Sequence, residues 1–236
     1  MKTTTLDALA GRYGLDQGQM ARLGTILREL QSDERAPTSV RAADRATDIH
    51  LADSLSALEI GAVRAAGQIV DIGSGAGFPG LPLAVALPGA EISLVESQRR
   101  KCEFLERVCS ATGIENARVV LARAEEWRDG ISRNDVVLAR ALAAQPVVLE
   151  YAAPLLRMGG TLLDWRGKRV LEEEGLAENA AGMLGLRRTE VRKVVPYQGA
   201  RDHHLHVFVK VAETPARFPR RAGMARKRPL GHRAAR

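Results

Sequence analysis

Three glycines alternate with small residues directly after a short apolar run in the segment Val70–Gly80 (VDIGSGAGFPG). Gly73, Gly75 and Gly77 let the backbone turn tightly and leave room for a ligand above it. Pro79 stands where a helix would begin, a position that favours proline, and the first turn of a helix offers free N–H groups to a ligand. The segment therefore predicts a strand, a ligand-binding loop and a helix. A turn without a ligand is the alternative, which three glycines beside an acidic residue disfavour.

Two classes of cofactor bind to loops of this kind. A dinucleotide fingerprint needs G-x-G-x-x-G, but the sixth position counted from Gly73 is Phe78, and a count from Gly75 starts two residues late. The form G-x-G-x-G after an acidic residue fits better and favours S-adenosylmethionine. Asp71 would then lie near the positive end of the methionine moiety, and Phe78 would obstruct a diphosphate but can pack beside a nucleoside. The predicted contacts come from Asp71, Gly73, Ser74, Gly75, Gly77 and Phe78.

Three further positions complete the predicted cofactor site. Glu96 ends the second predicted strand, where its acceptor-only carboxylate can bind both ribose hydroxyls. In Ala122–Glu126 (ARAEE), an acidic residue can receive the adenine amino group, although acidic residues are also favoured at an ordinary helix N-terminus. Arg140 ends the fourth predicted strand, and ligands of open α/β sheets bind at the carboxyl ends of strands. We therefore expect Arg140 to meet the cofactor or a phosphate.

Short β-branched runs alternate with amphipathic segments from residue 68 onward. Strands are predicted at Gln68–Ile72, Glu91–Glu96, Ala117–Leu121, Asp135–Ala139 and Thr161–Trp165, and helices at Pro79–Ala86, Arg99–Thr112, Gln145–Arg157 and Val170–Leu184. Two closing runs, Thr189–Val195 and His203–Val211, have no helix between them and predict an antiparallel hairpin at the sheet edge. The pattern indicates an α/β fold with a mostly parallel, doubly wound, Rossmann-like sheet of the class I methyltransferase type.

A helical cap is predicted before this domain, because residues 1–66 contain no period-two alternation. Asp16 can cap a helix, and Asp44 can start a second one. The apolar residues at helical spacing are Met20, Leu23, Ile26, Leu27 and Leu30 in the first helix, and Ile49, Leu51, Leu55 and Leu58 in the second. The chain is thus divided into a cap (1–66), a cofactor-binding domain (67–214) and a basic tail (215–236).

The net charge of +7 is concentrated in the tail. Residues 215–236 carry eight basic residues and no acidic one, which leaves the first 214 residues near −1. Such a cluster suits a polyanion, most often nucleic acid, and a solvated end that aids solubility is the alternative. The predicted phosphate binders are Arg166, Lys168, Arg169, Arg220, Arg221, Arg226, Lys227 and Arg228.

Other features exclude several classes of protein. Cys102 and Cys109 are predicted to lie about two turns apart on one helix, too far for a disulfide, and suit a reducing compartment. The N-terminus lacks the apolar run of a signal peptide, and no segment is long enough to span a bilayer, so a cytoplasmic protein is expected. His203, His204 and His206 have no Cys or carboxylate partner at ligand spacing, so we expect no metal.

The segments His50–Leu55 (HLADSL), Asp71–Leu83 (DIGSGAGFPGLPL) and Phe218–Leu230 (FPRRAGMARKRPL) together resemble the glucose-inhibited division protein B family, the bacterial 16S ribosomal RNA guanine-N7 methyltransferases. The resemblance implies a class I fold, S-adenosylmethionine as cofactor and a guanine of 16S rRNA in the small ribosomal subunit as substrate. It also implies cofactor contacts from Gly73, Phe78, Ala124–Glu125 and Arg140. The family's usual Asn-Leu-Thr reads Thr38-Ser39-Val40 here, and its usual Lys-Gly reads Arg166-Gly167-Lys168.

The implied reaction asks little of catalytic side chains. Guanine N7 has a lone pair and no proton, so it can attack a sulfonium methyl group in line without a general base. The absence of an Asn/Asp-Pro-Pro-aromatic motif after the fourth predicted strand agrees with this. We therefore expect catalysis mainly by alignment of the reacting atoms. Nothing in the sequence requires an oligomer, so a monomer is expected. The alternatives are a non-catalytic ribosome-assembly RNA binder with a vestigial cofactor pocket and an NAD-dependent oxidoreductase.

Overall fold

A single mixed sheet organises the protein, whose computed structural model describes residues 4–34, 36–38, 40 and 43–231. The described strands are β1 (Gln68–Ile72), β2 (Glu91–Glu96), β3 (Ala117–Leu121), β4 (Asn134–Arg140), β5 (Leu156–Arg166), β6 (Leu186–Val194) and β7 (His203–Lys210). They lie in the order β3-β2-β1-β4-β5-β7-β6. Strands β1 to β5 are parallel, and β7 is antiparallel to both β5 and β6. The predicted Rossmann-like methyltransferase fold with its closing hairpin is confirmed.

The strand order reverses at β1, which lies between β2 and β4. In an open parallel sheet, the crevice at such a switch point is where ligands bind, at the carboxyl ends of the strands. Parallel pairing places Asp71 beside Leu94 and Glu96 beside Leu121, so the ends of β1, β2 and β3 are level with one another. The glycine loop and Glu96 therefore lie at the same edge of the sheet.

Helices cover both faces of the sheet. They are α1 (Leu6–Tyr13), α2 (Gln17–Ser32), α3 (Ala43–Ala46), α4 (Asp53–Leu55), α5 (Gly61–Arg64), α6 (Gly80–Ala86), α7 (Arg99–Thr112), α8 (Gln145–Ala152), α9 (Leu171–Met183) and α10 (Met224–Lys227). Ile69 belongs to the apolar cluster on the α1, α2 and α6 side, and its neighbour Val70 to the cluster on the α8 and α9 side. Successive strand residues thus face opposite layers. No helix in the described ranges is long and apolar enough to cross a membrane.

Helix α2 begins where the sequence predicts. The Asp16 carboxylate accepts a hydrogen bond from the Gln19 N–H at 2.7 Å, and the Gln19 side-chain oxygen accepts one from the Asp16 N–H at 2.9 Å. This capping box contributes about 1 kcal/mol to the helix. The apolar face that it starts is buried at Leu23, Ile26, Leu27 and Leu30.

The sequence suggested one uniform second helix in the cap, but the structure divides this region into several helical segments. Helix α3 passes into a π-helical segment (Thr47–Ala52), then α4, then a 3₁₀ turn (Ser56–Glu59). Leu51, Leu55 and Leu58 are buried as expected, but the changes of pitch turn neighbouring polar residues toward the domain as well. The side chain of Asp44, the predicted start, lies outside the described part of the structure.

Helix α8 is shorter and β5 longer than predicted. The helix was expected to reach Arg157 but ends at Ala152, because Pro154 cannot continue a helix and restricts the residue before it. Strand β5 then begins at Leu156 rather than at Thr161. The extra residues pair with the start of β4 through a register shift between Asn134 and Val136.

The C-terminal segment (residues 218–231) is folded onto the domain. Its side chains Phe218, Ala225 and Leu230 are buried in the same apolar cluster as residues of α8 and α9. Residues 232–236, the remaining part of the predicted basic tail, lie outside the described residues.

Candidate functional site

The glycine loop (residues 73–77) leaves the end of β1 in conformations that favour glycine. The φ angles are 72° at Gly73, 58° at Gly75 and 92° at Gly77, all in the left-handed region. The N–H groups of Gly73 and Ser74 donate to the Val95 carbonyl at 2.8 and 3.2 Å, which ties the loop to β2. The predicted sequence of strand, loop and helix is therefore present, with α6 starting at Gly80.

Two glycines of the loop have different surroundings. A Cβ atom at Gly77 would lie 2.2 Å from Leu81 Cδ1, so packing beneath the loop requires glycine there. A Cβ atom at Gly75 would meet no described atom closer than the Gly73 carbonyl oxygen, at 3.8 Å. The loop is thus packed at Gly77 and open at Gly75, which leaves room for a ligand on the outer side.

Asp71 lies beneath the loop, whereas the sequence suggested a place beside the methionine moiety. Its carboxylate is 1% exposed and accepts a hydrogen bond from the Gly80 N–H at 3.0 Å. Burial raises the pKa of Asp71 to about 7, against the lowering effects of the Gly80 hydrogen bond and of the Arg140 charge. Asp71 therefore ties the end of β1 to the first turn of α6 and fixes the loop between them.

We expect Asp71→Asn to make stability less dependent on pH. Because its pKa rises from 3.8 to about 7, the folded protein binds this proton more tightly than the unfolded chain, and the stabilisation is lost as pH rises from 3.8 to about 7. Urea unfolding at about pH 5 and about pH 8 should show a smaller loss of stability for the variant than for the wild type. Asp164, whose pKa burial raises to about 6, stays in both proteins. Equal losses would contradict the role given to Asp71.

Glu96 reaches from the end of β2 to the glycine loop. Its carboxylate accepts hydrogen bonds from the Gly75 N–H at 3.1 Å and from the Gln98 N–H at 2.9 Å. The Lys101 ammonium lies 3.9 Å away, and the side chain is buried. An acceptor is therefore held rigidly next to the open side of the loop.

A cleft with about 70 Å³ of enclosed space runs along the ends of β1, β2 and β3. It brings together predicted site residues from distant parts of the chain, namely Gly73, Ala124 and Glu125. Sequence reasoning did not place the other lining residues here, which include Leu142, Tyr151 and Arg226. Tyr151 lies on α8 and Arg226 in the C-terminal segment, so strand-end motifs gave no signal for them.

Arg140 points from the end of β4 toward the cap. Its guanidinium donates to the Asp53 carboxylate and to the Ile49 carbonyl, both at 3.0 Å. The same carboxylate lies 3.1 Å from His203 Nδ1, and the Asp53 carbonyl accepts from Trp165 Nε1 at 3.1 Å. Asp53 thus joins the cap to β4, β5 and β7. The sequence analysis did not single it out, although it lies in the quoted segment HLADSL.

An aromatic stack stands beside this network. The His50 and Phe78 rings are stacked with centroids 4.4 Å apart, and the Arg140 guanidinium lies 5.7 Å from the Phe78 centroid. Burial, followed by the Arg140 charge, lowers the pKa of His50 to about 4, so its ring is neutral near pH 7. Phe78 and Arg140, both predicted site residues, are therefore neighbours between the cap and the sheet.

Two solved structures share this fold. Aeropyrum pernix fibrillarin in complex with natively bound S-adenosyl-L-methionine has a TM-score of 0.53 and 20% identity, and the match covers 67% of this chain and 73% of that one. A SAM-dependent O-methyltransferase from Thermotoga maritima has a TM-score of 0.55 and 16% identity, over 80% of this chain and 72% of that one. At these identities the likeness concerns the fold alone.

Sequence comparison is more specific. The GidB family, rRNA small subunit methyltransferase G, matches residues 19–204. The chain belongs to this family. A protein named ribosomal RNA small subunit methyltransferase G from Rubrobacter xylanophilus is 43% identical over 187 residues, 77% of this chain and 72% of that protein. One of the same name from Deinococcus deserti is 39% identical over 239 residues, 97% of this chain and 96% of that protein. The resemblance to this family is confirmed.

The predicted phosphate binders of this methyltransferase G family member fall into two groups. In the first, buried carboxylates hold the guanidinium groups: Arg166 by Asp164, Arg169 by Glu174 and Arg220 by Glu150. The second group is exposed and comprises Lys168, Arg221, Lys227 and Arg228, while Arg226 donates to the Leu142 carbonyl at 3.0 Å. A second cleft, with about 140 Å³ of enclosed space, is bordered by Arg166, Lys168, Arg169 and Pro229. The cations after β5 and the C-terminal segment therefore lie on one side of the protein.

The remaining candidate groups of the methyltransferase are cysteines and histidines outside the cleft at the strand ends. Cys102 and Cys109 are free thiols on α7, and burial raises the pKa of Cys109 to about 11. His204 contacts the Gly167 carbonyl at 2.9 Å, and His206 is buried. Within the described residues, no three His, Cys, Asp or Glu side chains are grouped so that they could hold a metal ion.

Proposed function

We propose that the protein transfers a methyl group from S-adenosylmethionine to N7 of a guanine in the 16S rRNA of the small ribosomal subunit. The observation that carries the proposal is the pairing of the open glycine loop with the buried Glu96 carboxylate, 3.1 Å from the Gly75 N–H. Membership of the rRNA small subunit methyltransferase G family supports the substrate class. The substrate would place the protein in the cytoplasm, and we propose that it acts as a monomer.

The residues at the strand ends fit an adenosyl sulfonium compound. Space beside Gly75 admits a ligand, Glu96 offers a fixed acceptor for ribose hydroxyls, and Glu125 borders the cleft where an adenine amino group would be received. Gly73, Ser74, Gly77 and Ala124 shape the backbone of this site. Asp71 lies beneath the loop and supports the site indirectly, by fixing the loop through its hydrogen bond with the Gly80 N–H. When bound, S-adenosylmethionine supplies an electrophilic methyl group on a positively charged sulfur.

The chain's own residues align the nucleophile rather than deprotonate it. Because guanine N7 carries no proton, the neutral His50 ring and the ion-paired Arg140 need not act as acid or base. The Phe78 ring packs against His50 and Arg140, and Asp53 holds the Arg140 guanidinium in place. Alignment of this kind can contribute up to about 7–11 kcal/mol to lowering a barrier.

The proposal is tested by methylation of small ribosomal subunits whose 16S rRNA lacks the modification. With labelled S-adenosylmethionine, we expect label in 16S rRNA at N7 of one guanine, which chemical cleavage at N7-methylguanine would map. The same reaction with Glu96→Gln should yield little label. Label at another atom, in protein only, or nowhere would refute the proposed reaction.

We expect Glu96→Gln to weaken S-adenosylhomocysteine binding about 10- to 100-fold, because a charge-assisted hydrogen bond contributes about 1.5–3 kcal/mol. An amide also presents an N–H₂ group to one of the backbone N–H donors that the carboxylate now satisfies. Titration calorimetry measures the dissociation constant. Glu91→Gln, at the exposed start of the same strand, is the matched control and should bind as the wild type does. Equal affinities for both variants would remove Glu96 from the site.

The exposed cations are proposed to bind RNA phosphates. Lys227→Ala should weaken binding to a 16S rRNA fragment and lower the slope of log affinity against log salt by about 0.7–0.9, the value for one phosphate contact. Arg133→Ala is the control. Arg133 is also exposed, but it precedes β4, at the amino ends of the parallel strands and away from the cleft. Identical slopes for the two variants, measured by filter binding over a salt series, would show that Lys227 contacts no phosphate.

A further inference from the structure

The C-terminal segment (residues 218–231) borders the cleft at the strand ends. The Gly223 N–H donates to the Glu125 carboxylate at 3.3 Å. The Arg226 guanidinium donates to the Leu142 carbonyl at 3.0 Å and lines the same cleft as Gly73. The cleft therefore has two walls of different origin, the strand ends on one side and the C-terminal segment on the other.

One ion pair fixes this segment to the domain. Glu150 on α8 is 1% exposed, and its carboxylate accepts three hydrogen bonds from Arg220: from the backbone N–H at 3.1 Å, from Nε at 2.8 Å and from Nη2 at 2.5 Å. Arg220 Nη2 also donates to the Arg228 carbonyl at 2.8 Å, which spans the loop that contains Gly223 and Arg226. A bidentate arginine–carboxylate pair of this kind fixes both distance and direction.

Apolar packing places the same segment independently of the charges. Phe218 and Leu230, near its two ends, are buried in the cluster of α8 and α9, and Ala225 is buried between them. These three side chains therefore keep the segment attached to the domain. Arg220 fixes the loop between Phe218 and Ala225, which contains Gly223, relative to the cleft.

We propose that Arg220 is a positioning residue for the cofactor: paired with Glu150, it holds the C-terminal segment as a wall of the S-adenosylmethionine cleft opposite Gly73. This rests on the proposed function, because it assumes that the cofactor occupies that cleft. The exposed cations Arg221, Lys227 and Arg228 lie on the outer side of the same segment. The segment thus contributes to the cofactor site with its inner face and offers charge to RNA with its outer face.

The test compares Arg220→Ala with Arg221→Ala, two neighbouring changes that remove the same charge. Arg220→Ala should raise the dissociation constant of S-adenosylhomocysteine and the KM for S-adenosylmethionine about tenfold, with kcat at saturating cofactor within about twofold of the wild type. Arg221→Ala should leave the dissociation constant of S-adenosylhomocysteine unchanged. Arg220→Lys, which keeps the charge but loses the bidentate geometry, should be intermediate.

A second readout follows the segment itself. S-adenosylhomocysteine should slow tryptic cleavage after Lys227 in the wild type and in Arg221→Ala, but not in Arg220→Ala. If Arg220→Ala fails to fold, Arg226→Ala, which removes only an exposed side chain from the cleft wall, must show the increase in dissociation constant. Wild-type affinity in a folded Arg220→Ala, or in Arg226→Ala, would overturn the proposal. A wild-type protein that binds no S-adenosylhomocysteine would instead refute the cofactor site.

Discussion

Gly75→Ala is expected to weaken S-adenosylhomocysteine binding about a hundredfold or more while the protein remains folded. The added methyl group would enter the open side of the loop, where the nearest described atom is the Gly73 carbonyl oxygen at 3.8 Å. It would not clash with the protein but would take space that the ligand needs. The φ of 58° costs an alanine about 1–2 kcal/mol of stability. Calorimetric titration and urea unfolding of the same preparation separate the two effects.

Gly77→Ala, two residues later, should mainly lower the stability of the protein, whereas Gly75→Ala should mainly weaken ligand binding. Its added Cβ would lie 2.2 Å from Leu81 Cδ1 and 2.7 Å from Leu81 Cγ, and its φ is 92°. Overpacking and backbone strain together should lower the free energy of unfolding by about 2–5 kcal/mol. If Gly75→Ala binds the ligand as tightly as the wild type, the cofactor does not pass over the loop, and the site must lie elsewhere.

The parts of the fold with strong local signals were predictable from the sequence. Strands β1, β2 and β3 and helix α7 begin and end at the predicted residues, because β-branched runs and helical spacing are local properties. The predicted end of α8 was wrong, although Pro154 indicated that the helix must end before it. The changes of pitch after residue 46 had no local signal, since they depend on packing of the cap against the domain.

The candidate site also combines residues with local sequence signals and residues whose partners are distant in the chain. Strand ends and glycines predicted Glu96, Gly75 and the loop, whose positions follow from the parallel sheet. The partners of Arg140 and Arg220 were not predictable, because Asp53 is separated from Arg140 by 87 positions and Glu150 from Arg220 by 70. Spacing along the chain says nothing about such pairs. The C-terminal segment was predicted from its charge and from the family resemblance of Phe218–Leu230, and the burial of Phe218 and Leu230 adds a structural role.

Asp53→Ala is expected to lower the free energy of unfolding by about 3–5 kcal/mol and to abolish most methyl transfer. Asp53 is largely buried, and its carboxylate lies 3.0 Å from the Arg140 guanidinium and 3.1 Å from His203 Nδ1. Without it, a half-buried guanidinium is left uncompensated at the end of β4. Arg140 would then turn away from Phe78, and its guanidinium would no longer be fixed at the end of β4.

The double variant Asp53→Ala/Arg140→Met separates stability from function. Removing both partners of a buried pair costs much less than removing one, so the double variant should recover most of the stability lost in Asp53→Ala. It should not recover methyl transfer to small ribosomal subunits, because Arg140 is absent. Glu190→Ala, which breaks the half-exposed pair with Arg192, is the control for a generic ion pair and should cost about 1 kcal/mol or less. If the double variant is as unstable as Asp53→Ala, the network stabilises the cap through His203 rather than through Arg140. If it is stable and active, Arg140 has no part in the reaction, and positive charge at the end of β4 is not what aligns the guanine.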